Sequence, residues 1–330
     1  MSTEFLTDLM TPMAVRVAAT LRIADHIDAG IDDPERLATA TGADARALVR
    51  LMRFLVVRNV FEEPKPGHYA LTPVSRRLRT GTPLQAWLDL EGAGARMELS
   101  YTDLLYSIRT GTAAWEHFYG KPMWEDLAGQ PELDASFNQL MAQHCAWLAP
   151  SLIDGYDWSD VDHLVDVGGG DGTLLTEILC SRTGLRGTLV EQPHLESQAK
   201  ERIRQAGVED RCTYVGGSFF DPLPTADVYL LANVIHNWPD QQAAQILTRC
   251  AEAAPAPKVL IVEWAISGTN ALRETEMDLR NLVLLNGEER TLPELENLGA
   301  RAGLTVLDFV TLKSGLSLIV MGRDATRPAS

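Results

Sequence analysis

The segment Leu164-Val165-Asp166-Val167-Gly168-Gly169-Gly170-Asp171-Gly172 runs from an apolar stretch into a turn almost bare of side chains. Without side chains there, a flat and polar ligand can touch the backbone. The dinucleotide fingerprint G-x-G-x-x-G is not met, because Thr173 stands where a third small residue belongs and the last glycine, Gly172, comes one place early. A plain strand-to-helix connection is the competing reading. Glu191, 23 positions beyond Gly168, falls where a carboxylate accepts two hydrogen bonds from ribose hydroxyls, unless it is only a solvated surface group. Ser218 and Phe219 follow a third apolar run; they fit an adenine ring, one by hydrogen bonding and one by stacking, as well as they fit a simple turn.

His236 follows the apolar run 228–235, in the segment His236-Asn237-Trp238-Pro239-Asp240. This is the carboxyl edge of a parallel strand, where open α/β sheets bind ligands. An imidazole with its ordinary pKa near 6.5 accepts a phenol proton around neutral pH, turning a poor nucleophile into a competent one. A structural histidine at a strand end is the alternative. Glu263 and Glu289 are candidates to orient the ring and stabilise its charge through the second nitrogen, or are ordinary solvated and capping residues.

The elements that must position these groups are legible as short apolar runs alternating with helical segments from residue 160 onward. The predicted strands are 164–167, 187–191, 212–215, 227–234 and 258–263, which makes a doubly wound α/β sheet. Gly168, Glu191, Ser218, His236 and Glu263 then fall at or just beyond the same ends of successive strands, so folding gathers them about one crevice. After Thr291, a capping box with Glu294 starts a further helix, and 305–311 with 316–321 form a hairpin around Lys313-Ser314-Gly315.

Upstream, residues 11–58 read as helices, two of them capped by Asp33 before Pro34 and by Asp44 before the run Ala47, Leu48, Leu51, Leu55. Residues 60–71 read as a hairpin turning at Pro64-Lys65-Pro66-Gly67, so 11–80 resembles a winged helix-turn-helix. Residues 31–80 hold nine Lys/Arg against six Asp/Glu, a slight excess of +3, and no Asn or Gln accompanies Arg46, Arg50 and Arg53 for base reading. A dimer-forming element is therefore expected in preference to a ligand-responsive DNA-binding regulator. Helical stretches rich in Trp and Leu occupy 84–150, as core or as substrate wall. The expected domains are 1–85, 86–150 and 151–330.

The formal net charge of −16 repels phosphate backbones, so nucleic acid is not an expected partner. No apolar run of about 18 residues occurs, and no basic segment followed by an apolar one opens the chain, so neither a membrane nor secretion is expected. Cys145, Cys180, Cys212 and Cys250 form no C-x-x-C pair, which fits a cytoplasmic protein without zinc or disulfides. No Asp/His cluster has ligand spacing, and no metal is expected.

Together, Thr11-Pro12-Met13-Ala14-Val15-Arg16, the glycine turn, Gly217-Ser218-Phe219-Phe220-Asp221-Pro222, Val234-Ile235-His236-Asn237-Trp238, Met277-Asp278-Leu279-Arg280 and Gly287-Glu288-Glu289-Arg290-Thr291 resemble the plant-type and bacterial natural-product O-methyltransferases. That resemblance spans almost the whole chain. It implies a Rossmann-like methyltransferase sheet with a terminal β-hairpin, a winged-helix-like amino-terminal dimerisation domain, and a homodimer in which residues 4–16 are intertwined with a second copy. It also implies that Gly168, Gly170 and Glu191 bind S-adenosyl-L-methionine, that Ser218 and Phe219 hold its adenine, and that His236 is the base flanked by Glu263 and Glu289. Phe137 and Met141 would touch a small aromatic acceptor of secondary metabolism, such as an antibiotic precursor. The chain departs from the family pattern at Asn237 and Glu191, where Asp is usual, and at Asn286, where Gly is frequent. The anthracycline-related branch also carries Asn-Trp-Pro-Asp, sometimes with chemistry other than O-methylation, so C-methylation, decarboxylation and hydroxylation are the alternatives.

Overall fold

The structure, a computed structural model, describes residues 7–323. The chain divides into two compact units, one comprising the residues up to Leu99 together with Leu127–Leu140, the other Ser100–Asp126 and everything from Met141 onward.

In the first unit, α1 (Met10–Thr20), α2 (Ile23–Asp28), α3 (Pro34–Thr41) and α4 (Ala45–Val57) precede a hairpin of β1 (Phe61–Lys65) and β2 (His68–Leu71). Asp33 accepts the Arg36 N–H at 3.0 Å and Asp44 that of Ala47 at 2.8 Å. Each such cap satisfies an orphan N–H of the first turn and is worth about 1 kcal/mol. Leu48, Met52 and Leu55 form one buried stripe of α4 and share a core with Ile23, Leu37 and Phe61. The hairpin is tighter than the sequence suggested. Lys65 pairs with His68, so the turn is Pro66-Gly67 alone, with Gly67 at φ +74°. Pro64 lies inside β1 where the register slips between Glu62 and Lys65, a place at which a ladder N–H is dispensable. Of the segment 4–16 expected to meet a second copy, residues 4–6 lie outside the described residues, and α1 begins at Met10. Short helices follow: α5 (Pro73–Arg76), α6 (Pro83–Leu88) and α7 (Ala93–Ser100) in this unit, α8 (Leu104–Thr110) and α9 (Ala114–Tyr119) in the second, and α10 (Met123–Ala128) where the chain passes back to the first. The long α11 (Pro131–Gly155) contributes its first ten residues to the first unit and the rest to the second.

The second unit is built on β3 (His163–Val167), β4 (Arg186–Glu191), β5 (Cys212–Gly216), β6 (Val228–Ala232), β7 (Lys258–Glu263), β8 (Thr305–Thr311) and β9 (Ser317–Gly322). The sheet order is β5-β4-β3-β6-β7-β9-β8; the first five strands run parallel, and β9 is antiparallel to both β7 and β8. Side chains alternate between two cores. Leu164, Leu230, Leu260 and Val262 join Leu175 and Ile178 of α12 (Thr173–Ser181) and Ile203 of α13 (Glu196–Ala206). Val165, Tyr229, Leu231 and Ile261 join Ile246 and Leu247 of α14 (Asp240–Glu252) and Leu295 of α16 (Leu292–Arg301), which follows α15 (Ala271–Leu285). Burial of both faces explains why these strands read as unbroken apolar runs. The order reverses at β3, between β4 and β6, and such a switch point opens a crevice at the carboxyl ends of the strands. β6 stops at Ala232, short of the expected 234, because Asn233 adopts φ +56° and turns the chain out of the sheet. No helix among the described residues is long and apolar enough to cross a membrane.

Leu230 is fully buried at the centre of this sheet. Leu230→Ala is expected to lower stability by about 2–5 kcal/mol, seen as a fall in the urea midpoint with an unchanged m value.

Candidate active site

Between β3 and α12 the backbone passes through left-handed conformations at Gly168, Gly170 and Gly172, with φ of +73°, +62° and +80°. Gly169 is required for a different reason: a Cβ there would lie 2.2 Å from Oδ2 of Asp166 and 2.6 Å from Cδ1 of Leu189. At Gly168 a Cβ would come within 3.4 Å of the Phe219 ring, which therefore lies close over the turn. Oε2 of Glu191 accepts the Gly170 N–H at 3.0 Å and Oε1 accepts the Gln192 N–H at 2.6 Å. Burial raises the Glu191 pKa, partly opposed by those two N–H donors. Ser218 Oγ accepts the Phe220 N–H at 3.2 Å, while the Phe219 ring meets Phe220 and Trp238 edge-on at 5.1 and 5.8 Å.

Asp166 was passed over at the sequence level. It is 1% exposed, and its Oδ2 lacks a hydrogen-bond partner among the described residues. Burial, then the Glu191 and Asp171 carboxylates, push its pKa up to about 7. An acid inside the apolar run Leu164–Val167 was the signal, since such a group costs desolvation energy until a donor reaches it. Asp171, by contrast, is satisfied by Arg202 at 2.9 Å and by the Thr173 N–H at 3.0 Å, fixing the start of α12.

His236 lies in a single 3-10 turn over Ile235–Asn237, four residues past the end of β6, and is 5% exposed. Its ring Nδ1 meets Oε1 of Glu289 at 2.7 Å, and its backbone N–H donates to Oε1 of Glu263 at 2.9 Å. The two carboxylates thus do different work: Glu289 holds the ring and Glu263 holds the main chain. The His236 carbonyl accepts the Glu288 N–H at 2.9 Å, and Arg290, 2% exposed, donates to the carbonyls of Ile235 and Trp238 at 3.4 and 2.8 Å. This loop fits only because of Gly287, where a Cβ would lie 2.0 Å from the His236 carbonyl oxygen.

Burial alone would depress the His236 pKa, but the Glu289 and Glu263 carboxylates outweigh it and push the value up to about 9. Burial raises Glu263 to about 7 against the pull of His236. The ordinary imidazole value assumed from sequence is therefore corrected upward. One atom from each of His236, Glu263 and Glu289 lies within 4.8 Å of the others. A cation could exploit that spacing, yet Oε1 of Glu289 already takes two N–H donors and Oε1 of Glu263 a third, so hydrogen bonds account for the arrangement.

Phe137 and Met141, the expected acceptor contacts, are half-buried on α11. His144 continues their i, i+4, i+7 spacing, a sign available in the sequence but not used. Its Nε2 lies 3.1 Å from Nδ2 of Asn233, and burial, then His236, bring its pKa down to about 4. A neutral ring accepting from Asn233 carries its hydrogen on Nδ1.

The glycine-lined turn and the buried imidazole lie at the carboxyl edge of one doubly wound sheet, the edge at which α/β enzymes of this architecture bind their ligands. Residues 101–305 match the O-methyltransferase domain and residues 3–81 the O-methyltransferase dimerisation domain. The chain is 44% identical over 304 residues to 2,7-dihydroxy-5-methyl-1-naphthoate 7-O-methyltransferase of Streptomyces carzinostaticus, covering 91% of each chain. It is 43% identical over 312 residues to aclacinomycin 10-hydroxylase RdmB of Streptomyces purpurascens, covering 91% of this chain and 83% of that one. It superposes with a TM-score of 0.90 and 42% identity on the O-methyltransferase NcsB1 of neocarzinostatin biosynthesis, solved with S-adenosylmethionine and 2-hydroxy-5-methyl naphthoic acid, over 97% of this chain and 98% of that one. The chain belongs to the O-methyltransferase family.

Gly287→Ala forces the His236 carbonyl aside and is expected to destabilise the protein by about 1–3 kcal/mol in urea unfolding. Gly184→Ala, where no atom lies within 4 Å of an added Cβ, should stay within about 0.5 kcal/mol of wild type in the same measurement.

Proposed function

We propose that the chain is an S-adenosylmethionine-dependent O-methyltransferase that works as a cytoplasmic homodimer in secondary metabolism, on a hydroxyl group of a small aromatic natural-product intermediate, with His236 as general base. The observation that carries this reading is the buried imidazole, held at 2.7 Å by Glu289, on the same sheet edge as the turn containing Gly168 and Gly170. The hydroxynaphthoate substrate of the Streptomyces carzinostaticus relative and the naphthoic acid bound by NcsB1 support a fused aromatic acceptor bearing a hydroxyl group. A net charge of −16 favours such a molecule over a phosphate backbone, and no membrane role is invoked. The working division is 1–85 for dimerisation, 86–150 for capping the acceptor and 151–330 for catalysis.

Bound S-adenosylmethionine would supply an electrophilic sulfonium methyl. The residues present fit that cofactor: the bare turn admits its backbone-facing edge, Glu191 keeps lone pairs for ribose hydroxyls, and the orphaned Oδ2 of Asp166 awaits a donor. Ser218 and Phe219 would hold the adenine, and Phe137 and Met141 would meet the acceptor. Because Nδ1 of His236 is engaged by Glu289, the acceptor proton goes to Nε2. A phenol near pKa 10 would give its proton to an ordinary imidazole uphill by about 5 kcal/mol, whereas an imidazole near 9 brings the transfer close to balance. Alignment for in-line displacement supplies the rest.

A second reading, hydroxylation or another reaction on the same scaffold, is favoured by the 43% identity to the aclacinomycin hydroxylase. Mass spectrometry with isotope-labelled methyl donor separates the two: the labelled methyl on a product oxygen supports O-methylation, and an added unlabelled oxygen overturns it.

His236→Ala is expected to cut turnover by about 10² to 10⁴-fold while calorimetry finds donor affinity nearly unchanged. A base is active when unprotonated, so kcat/KM of the wild type should climb with pH and level off near 9, the value set by the Glu289 and Glu263 carboxylates. A flat profile across that range would count against the histidine.

A further inference from the structure

Asn281 lies on α15, 4% exposed, and its Nδ2 donates to Oε1 of Glu289 at 3.1 Å. That oxygen also takes Nδ1 of His236 at 2.7 Å, whereas Oε2 of Glu289 has no partner among the described residues. Two donors therefore converge on one carboxylate oxygen, and the role assigned to His236 uses only one of them. The main chain of Asn281 is tied to the same loop. Its carbonyl accepts the Gly287 N–H at 3.1 Å, beneath the left-handed cap at Asn286, so the turn that brings Glu289 round to the histidine also sets the distance to the amide.

We propose that Asn281 is a positioning residue for methyl transfer: its amide, by sharing Oε1 of Glu289 with His236, fixes that carboxylate against the imidazole and draws off part of its charge. This rests on His236 being the base. A buried amide at a helix position whose neighbours Val283 and Leu284 are buried and apolar costs desolvation energy unless it is hydrogen-bonded, and the Glu289 oxygen provides the compensation. A carboxylate stripped of one of two N–H donors presents more of its charge to the donor that remains. The imidazolium is then favoured, and less base is available near neutral pH. The other charged and titratable groups around the ring come from separate elements: Glu263 at the end of β7, Arg290 beyond Glu289, and His144 on α11. Asp278 on α15 accepts the Glu289 backbone N–H at 3.0 Å. None of these donates to the Glu289 carboxylate, so Asn281 is the side chain through which its charge is tempered.

The test is a nitrogen-15 histidine titration by NMR on the full-length protein and on Asn281→Leu, with His236→Gln used to identify the His236 signal. The His236 midpoint is expected to rise by roughly one pH unit in Asn281→Leu, and the acid limb of kcat/KM to move with it. kcat at neutral pH should fall several-fold while the acceptor KM and donor affinity hold. A midpoint that stays put or falls in the folded variant overturns the proposal. If Asn281→Leu does not fold by circular dichroism, Asn281→Ser, whose hydroxyl is too short to reach Glu289, carries the same expectation and the same overturning result. Full turnover by His236→Ala would instead remove the base assignment, leaving the titration to decide whether Asn281 acts on the ring.

Discussion

A histidine buried beside two carboxylates is tolerable only when its ring is paired and its main chain is held, because an unpaired charge in the interior costs several kcal/mol. The fold answers this with a single staple. Glu263 takes the N–H of His236, Glu288 donates to its carbonyl, Glu289 takes its ring, and Arg290 binds the carbonyls on either side. Three of these four come from consecutive residues of the loop between α15 and α16, and that loop reaches the turn only because Gly287 offers no side chain to the His236 carbonyl. The imidazole is thus positioned by main-chain geometry as much as by its ion pair.

The same constraint separates the two acids that sequence reasoning treated alike. Both flank the histidine, but Glu263 ends a central strand and fixes the backbone, while Glu289 arrives on a loop and meets the ring. Spacing along the chain carries no information about which atom each will touch. Nor could it reveal that a buried pair of carboxylates overrides burial and makes the imidazole a stronger base than a free one.

The five parallel strands, the capped helices at Asp33 and Asp44, and the terminal hairpin were legible because each follows from a local rule: apolar runs buried on both faces, a cap oxygen before an apolar stripe, a glycine turn between strands. The convergence of Gly168, Glu191, Ser218 and His236 was legible for a topological reason, since parallel strands put their carboxyl ends on one edge. Less accessible were Asp166, His144 and Asn281. Each is a polar residue within an apolar or helical pattern, and only the partner it meets across the fold distinguishes it from an ordinary substitution. The early end of β6 was hidden likewise, because the left-handed backbone at Asn233 breaks an otherwise continuous apolar run.

The place of β9 has a consequence for how the protein is made. This strand lies between β7 and β8 and pairs Ser317 with Glu263, so the strand that anchors the His236 turn is flanked on one side by residues synthesised more than fifty positions later. While the ribosome is still building that stretch, β7 has an open edge and Glu263 lacks its neighbour. Non-local pairing of this kind is slow and leaves an exposed strand in the meantime. The sheet around Glu263 therefore closes only once its last strand has been made, and until then the edge of β7 is open to pairing with another chain.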